Sequence, residues 1–188
     1  MTADQWQESS DVLSRYPNGS FVTRPVRIGA TSKPALLDAL EAQHVALNPA
    51  ARALFADSRF ATSEVSSVIE TVELSVAALG LLDGGTSAQL FERARELGLS
   101  LCPLELGPHL RLQWLDQPDG SVGFAPTQHR APPGSVTVAS RALSDETDVP
   151  KGFYLRKIEG VLWLRGYWCD DENVWNPDDR FVFARERA

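Results

Sequence analysis

The chain has 188 residues and carries 18 Lys and Arg against 25 Asp and Glu, which gives a formal net charge of −7. This length is enough to bury a core without disulfide bonds, and it favours one domain. The acidic balance argues against a protein that wraps duplex DNA, because such binding needs clustered basic side chains.

Cysteine content and the lack of targeting segments predict a cytoplasmic protein. Two cysteines, Cys102 and Cys169, are too few for a disulfide framework, so we expect free thiols in a reducing compartment. The N-terminus lacks the basic region and apolar stretch of a secretory signal. No run reaches the roughly 18 apolar residues of a membrane span, so we expect no membrane association.

The first fifty residues predict a flexible lead-in, a strand and two helix starts. Residues 1–20 are polar, and we expect a flexible N-terminal segment there. Residues 21–28 carry β-branched side chains around Pro25, which is tolerated in an edge strand because it donates no ladder hydrogen bond. An N-cap hydroxyl followed by a proline at 31–34, and the Asn-Pro pair at 48–49, each predict the start of a helix.

The middle of the chain shows the clearest periodicity. Residues 68–77 alternate between apolar and polar side chains, which predicts a half-buried strand. Thr86 and Gln89 have the spacing of a capping box, so we expect a helix over 87–97. Residues 110–115 alternate again, and this pattern predicts a further strand.

The last third predicts only strands and loops. Short segments rich in Val, Phe, Tyr and Trp lie at 136–139, 153–158, 161–168 and 181–184. The predicted fold class is therefore α+β, with two or three N-terminal and central helices packed on a mainly antiparallel sheet and an all-β C-terminal third. We expect a single domain over residues 21–188, with a sub-boundary near 60–67 as the alternative.

One loop places a thiol, a carboxylate and an imidazole within eight residues. A nucleophilic cysteine needs a nearby base, so Cys102, Glu105, His109 and Arg111 form the candidate catalytic set of a small enzyme or toxin. The structural alternative is that Cys102 is a buried thiol in an apolar run, while Glu105 and His109 hydrogen-bond the loop. The spacing of His and Cys residues matches no zinc motif, and we predict no metal and no cofactor.

The C-terminal aromatic and acidic residues form the candidate binding site. Alternation along residues 161–168 puts an aromatic and arginine stripe on one strand face, and Trp, Tyr and Arg dominate binding hot spots. The structural alternative is that the rings fill the core. The predicted binding residues are Trp163, Arg165, Tyr167, Trp168, Asp170, Asp171, Trp175, Asn176 and Asp178.

The acidic side chains of the same region suggest a second interpretation. Ca²⁺ takes six to eight oxygen ligands, so Asp170, Asp171, Asp178 and Asp179 are an alternative calcium set. The sequence does not follow the EF-hand pattern, and solvated acidic turns are the other interpretation.

Two resemblances to known families accompany these patterns. A series of segments resembles a family of uncharacterised bacterial proteins that is often found in phage-like contexts. The segments match in order and spacing over about residues 26–185. This resemblance implies no activity. The segments are Val26-Arg27-Ile28-Gly29, Val72-Glu73-Leu74-Ser75-Val76, Arg95-Glu96-Leu97-Gly98-Leu99, the run 101–112 and Asp116-Gln117-Pro118.

The tail is similar to a second group. Leu162-Trp163-Leu164 and the run 175–183 resemble the C-terminal end of variable proteins of diversity-generating retroelements. This resemblance implies ligand-contacting residues on a C-type-lectin-like scaffold.

Taken together, these observations predict a non-catalytic recognition protein whose C-terminal hairpin and loop contact a partner macromolecule. A protein partner is expected, and a nucleic acid partner is not. The alternatives are the small enzyme or toxin at residues 102–109 and an acidic inhibitor or mimic of a nucleic-acid-binding surface. The sequence predicts no oligomeric state.

Overall fold

The computed structural model describes residues 20–120 and 131–185. Within these residues the chain forms four α-helices and ten strands, which confirms the α+β class. The helices are α1 (Lys33–Ala42), α2 (Pro49–Ala56), α3 (Ser87–Glu96) and α4 (Leu106–Gln113). None of these helices is long and apolar enough to cross a bilayer. The predicted flexible segment, apart from Ser20, lies outside the described residues.

Eight of the ten strands form one mixed sheet. The strands are β1 (Val22–Ile28), β2 (Ala46–Leu47), β3 (Ser67–Ser75), β4 (Gly85–Thr86), β5 (Leu99–Ser100), β6 (Val136–Val138), β7 (Gly152–Ile158), β8 (Val161–Tyr167), β9 (Val174–Trp175) and β10 (Arg180–Arg185). The sheet order is β1-β3-β10-β6-β7-β8-β2, with β5 paired to β10, while β4 and β9 form a separate ladder. The β10–β6 and β2–β8 pairs are parallel, and the other pairs are antiparallel.

The sheet carries a hydrophobic core on each face. Successive side chains of a strand point to opposite faces, and Val182 of β10 packs in one core while Phe181 and Phe183 pack in the other. The first core includes buried side chains of α1, α2 and α4, and the second includes Leu90 and Ala94 of α3. We call these the first and second faces of the sheet.

The helix starts follow the local signals in the sequence. The Asn48 side chain accepts a hydrogen bond from the Ala51 amide, and Pro49 occupies the first helical turn. The capping box of α3 is complete, because Thr86 accepts from the Gln89 amide and the Gln89 side chain accepts from the Thr86 amide. These contacts pair amides that a helix leaves without internal partners.

The strand predicted at residues 110–115 is wrong, because these residues belong mostly to α4. Leu106 and Leu110 lie one turn apart and are both buried in the first core. Pro108 is tolerated in the first turn, where an amide has no helical partner. Leu112 is only partly buried and Arg111 is fully buried, so the alternating pattern does not correspond to inside and outside.

Two side-chain amides hydrogen-bond the backbone near opposite ends of the sheet. At the outermost strand β1, Gln113 Oε1 accepts from the Arg27 amide at 3.0 Å and Gln113 Nε2 donates to the Arg27 carbonyl at 2.8 Å. At β8, Asn48 Oδ1 accepts from the Gly166 amide at 2.8 Å and Asn48 Nδ2 donates to its carbonyl at 2.9 Å. Gln113 therefore occupies the position that a further strand would take beside β1, and Asn48 continues the short pairing of β2 with β8.

Candidate functional site

Cys102 is a buried structural thiol. Its Sγ donates to the Val182 carbonyl at 3.6 Å, and its amide donates to the Ala139 carbonyl at 2.7 Å. Burial raises the pKa of the thiol. Because the thiolate is the nucleophilic form, this environment does not support the catalytic interpretation of the loop.

Glu105 and His109 join two loops to the start of α4. The Glu105 carboxylate accepts from the Ser63 amide at 3.1 and 3.2 Å, and His109 Nε2 accepts from the Gly29 amide at 3.3 Å. The Ala30 amide donates to the Ser63 carbonyl at 2.8 Å, so the two loops also contact each other. Burial lowers the pKa of His109, which favours the neutral ring that can accept this bond. These contacts hold the fold together.

Arg111 is fully buried in the core. Its Nη1 donates to Gln117 Oε1, and its guanidinium lies 5.9 Å from the centre of the Trp114 ring. Nε and Nη2 have no hydrogen-bond partner within the described residues. Burial lowers the pKa of Arg111 to about 10, so the group remains charged at neutral pH.

The C-terminal tryptophans differ in exposure. Trp175 is only 7% exposed; it packs edge-on against Tyr167 and Phe181, and its Nε1 donates to Ser87 Oγ at 2.9 Å. Trp168 is 51% exposed, and its Nε1 donates to the Asp148 carbonyl at 3.3 Å. Trp175 thus belongs to the core, as the structural alternative expected, whereas Trp168 is at the surface.

The predicted aromatic and arginine stripe lies on the second face of the sheet. Trp163, Arg165 and Tyr167 alternate along β8 with the buried Leu164, and all three are half-buried. Arg165 lies opposite Tyr154 of β7. Its guanidinium is 5.0 Å from the Trp163 ring centre and 5.9 Å from the Tyr154 ring centre.

A cavity of about 200 Å³ opens beside this stripe. We call it the aromatic cavity. Its walls combine four aromatic side chains, two of them tyrosines, with the aliphatic hydroxyls of a serine and a threonine and the amide of Asn173, and no charged side chain of the described residues lines it. The rings and hydroxyls are Tyr154, Tyr167, Trp168, Trp175, Ser135 and Thr137.

A second cavity, of about 110 Å³, shares Tyr167 and Cys169 with the first. We call it the acidic cavity because Asp145, Asp170 and Asp171 line it. All three carboxylates are exposed, and none forms an ion pair in the described part of the chain. They therefore leave negative charge at the mouth of the cavity.

Lys151 also lines the acidic cavity, so three carboxylates and one ammonium give the lining a net formal charge of −2. Nζ donates to the Ser144 carbonyl at 3.0 Å and to the Glu146 carbonyl at 2.9 Å. Cys169, between the two cavities, is half-buried, and burial raises the pKa of its thiol while a hydrogen bond with Ser87 opposes that shift.

Two buried hydroxyl groups line the cavities without a partner. Ser135 is 5% exposed and lines the aromatic cavity, and Ser140 is 3% exposed and lines the acidic cavity. Neither Oγ has a hydrogen-bond partner among the residues that the structure describes. Because buried polar side-chain atoms are normally hydrogen-bonded to protein or to ordered water, both hydroxyls are free to bond a water or a polar group of a ligand in these cavities.

Two other predicted site residues lie in the turn before β10. The Asn176 amide donates to Asp179 Oδ2 at 2.8 Å, and Asp178 lines a third recess, which adjoins the aromatic cavity through Ser135. The alternative calcium set is therefore split between two places. Residues 20–120 and 131–185 contain no group of three or more acidic, His or Cys side chains suited to a metal ion.

Several site residues could not be identified from the sequence pattern. Tyr154 was part of a predicted strand, but only the pairing of β7 with β8 places it against Arg165. Ser135 and Ser140 flank the predicted strand at 136–139, with no signal that their hydroxyls line cavities.

No family model matches the chain, and no curated protein and no solved structure is significantly similar to it.

Proposed function

We propose that the protein is a non-catalytic recognition protein that binds a basic segment of a partner protein across the aromatic and acidic cavities. The main support is the lining of two adjoining cavities. It includes carboxylates that form no ion pair and buried hydroxyls that have no hydrogen-bond partner in the described residues. The structural contacts of Cys102, Glu105 and His109 favour this proposal over the catalytic alternative.

The charge around the acidic cavity favours a basic partner. The loops at 141–151 and 168–173 contain six carboxylates and two cationic side chains, Arg141 and Lys151. Lys151 keeps its charge while it donates to backbone carbonyls, so the six carboxylates and two cations leave a net formal charge of −4. An exposed pair of opposite charges typically contributes about 0.2–1 kcal/mol, and several carboxylates around one cation add to this. A Lys or Arg side chain would gain this attraction.

The arrangement of the cavities suits an extended peptide. In an extended chain the side chains at i and i+2 point to the same side, about 7 Å apart. The two cavities are separated by the shared wall of Tyr167 and Cys169. Two such side chains can therefore enter neighbouring cavities while the peptide backbone crosses the wall.

Fluorescence anisotropy with two labelled decapeptide pools tests this proposal. One pool has a fixed central Lys or Arg, and the other has a fixed central Asp or Glu. We expect binding of the basic pool only, with weaker binding at 300 mM than at 50 mM salt because ions screen exposed charges.

A matched pair of triple variants locates the binding. Asp145→Asn, Asp170→Asn and Asp171→Asn together should weaken binding of the basic pool at least tenfold. The control replaces three exposed carboxylates that do not line the cavities, Glu41, Glu64 and Glu70, by Gln. Equal binding of the two pools, or equal effects of the two triple variants, would refute the proposal.

A further inference from the structure

We infer that the aromatic cavity takes the phenol ring of a tyrosine in the partner segment, two residues away from the basic side chain that enters the acidic cavity. The inference rests on the proposed function, because it assigns the ring to the same partner segment that carries the basic side chain. Size, polarity and charge of the cavity support it independently.

The volumes of the two cavities favour this assignment of side chains. An apolar cavity of about 150 Å³ is known to hold benzene, so the aromatic cavity of about 200 Å³ admits a six-membered ring with one hydroxyl. The acidic cavity of about 110 Å³ is too small for a ring and suits the end of a lysine side chain. The four rings around the larger cavity offer edge-to-face contacts.

The polar atoms of the aromatic cavity favour a phenol over a plain phenyl ring. Ser135 Oγ is buried without a partner in the described residues, and Thr137, Tyr154 and Tyr167 also carry hydroxyls in the lining. A tyrosine hydroxyl can both donate and accept a hydrogen bond. A phenylalanine ring would leave Ser135 Oγ unpaired, and sites with buried polar groups discriminate strongly against ligands that lack the matching hydroxyl.

The nearby charge disfavours a basic side chain in this cavity. The Arg165 guanidinium lies 5.9 Å from the ring centre of Tyr154, which is part of the cavity wall. A cation in the aromatic cavity would therefore lie near a like charge. The acidic cavity, with three carboxylates, is the better place for that cation.

A peptide series tests the assignment directly. Fluorescein-labelled Gly-Ser-X-Gly-Lys-Gly-Ser peptides carry Tyr, Phe, Ala or Lys at X, and their affinities for the full chain are measured by anisotropy. We expect the Tyr peptide to bind at least tenfold more tightly than the Phe peptide, with the Ala and Lys peptides weaker still. Equal affinities for the Tyr and Phe peptides would overturn the assignment.

Two serine variants provide the matched control. Ser135→Ala should bring the ratio of Tyr to Phe affinity close to one, while Ser140→Ala in the other cavity should leave that ratio unchanged. Neither hydroxyl has a partner in the described part of the chain, so both variants should fold with unchanged circular dichroism. A Tyr preference that survives Ser135→Ala would contradict the role of this hydroxyl.

A small-molecule arm separates the two proposals. Binding of 4-methylphenol and of toluene is followed by tryptophan fluorescence, and we expect 4-methylphenol alone to bind and Ser135→Ala to abolish the difference. If 4-methylphenol binds but the basic pool does not, the proposed function is refuted and the phenol site stands. If the basic pool binds without any preference for tyrosine, the phenol assignment alone is refuted.

Discussion

Replacing Arg111 with methionine should stabilise the protein. The guanidinium is fully buried, makes one side-chain hydrogen bond and has two nitrogen atoms without partners in the described residues. Buried charges are often less favourable than apolar side chains of similar size. Methionine is unbranched and flexible, so it can follow the same path through the core.

The magnitude follows from the pKa of Arg111. Burial lowers this pKa from the ordinary value of 12.5 to about 10, which corresponds to a cost of about 3 kcal/mol for holding the charge at neutral pH. The Arg111→Met variant loses the bond to Gln117 and leaves Gln117 Oε1 unpaired, at a cost of about 1–2 kcal/mol. We therefore expect a net increase of about 1–2 kcal/mol in the free energy of unfolding.

Guanidinium chloride unfolding at pH 7, with linear extrapolation to water, measures this difference. Arg111→Lys is the control that keeps the buried charge, and it should give no stabilisation. Because the folded-state pKa is depressed, the cost of the charge is fully present below pH 10 and disappears as the pH rises from about 10 to 12.5. The advantage of Arg111→Met should shrink over this range. A methionine variant less stable than the wild type by 1 kcal/mol or more at pH 7 would refute the reasoning.

Two further substitutions test other contacts. Burial lowers the pKa of His109 below its ordinary value of 6.5, so the wild type should lose stability in denaturant unfolding as the pH falls from 6.5 to 5. His109→Gln should remove this loss. If both proteins lost the same stability over this range, the assignment of a neutral ring would be contradicted. Asn48→Ala removes the cap of α2 and both hydrogen bonds to Gly166, so it should cost about 2–3 kcal/mol and speed hydrogen exchange at the Gly166 amide. Unchanged exchange there would show that the pairing is not formed in solution.

Local signals predicted a large part of the secondary structure. The capping box at Thr86 and Gln89 and the cap at Asn48 are chemical features of a few neighbouring residues, and the structure contains both. The error at 110–115 has a physical cause. A period of two indicates a strand only when it separates buried from exposed residues, and the buried Arg111 breaks that rule.

The sheet order and the cavities depend on contacts between distant residues. The parallel pairing of β10 with β6 joins residues more than forty positions apart in the sequence, and no local pattern encodes it. The pairing of β6 with β7 sets Thr137 opposite Tyr154, and the pairing of β7 with β8 sets Tyr154 opposite Arg165. The sequence therefore indicated β8 and three of the four aromatic side chains that line the aromatic cavity, but it did not indicate Tyr154, Ser135 or Asp145 as their neighbours.

The side-chain amides bound to β1 and, just beyond β2, to β8 have a consequence for how the molecule meets other chains. Exposed strand edges invite strand addition and aggregation. Gln113 blocks the outer groups of Arg27, and Asn48 blocks those of Gly166. Recruitment of a foreign strand at either position would first have to displace a side chain already bound at two points.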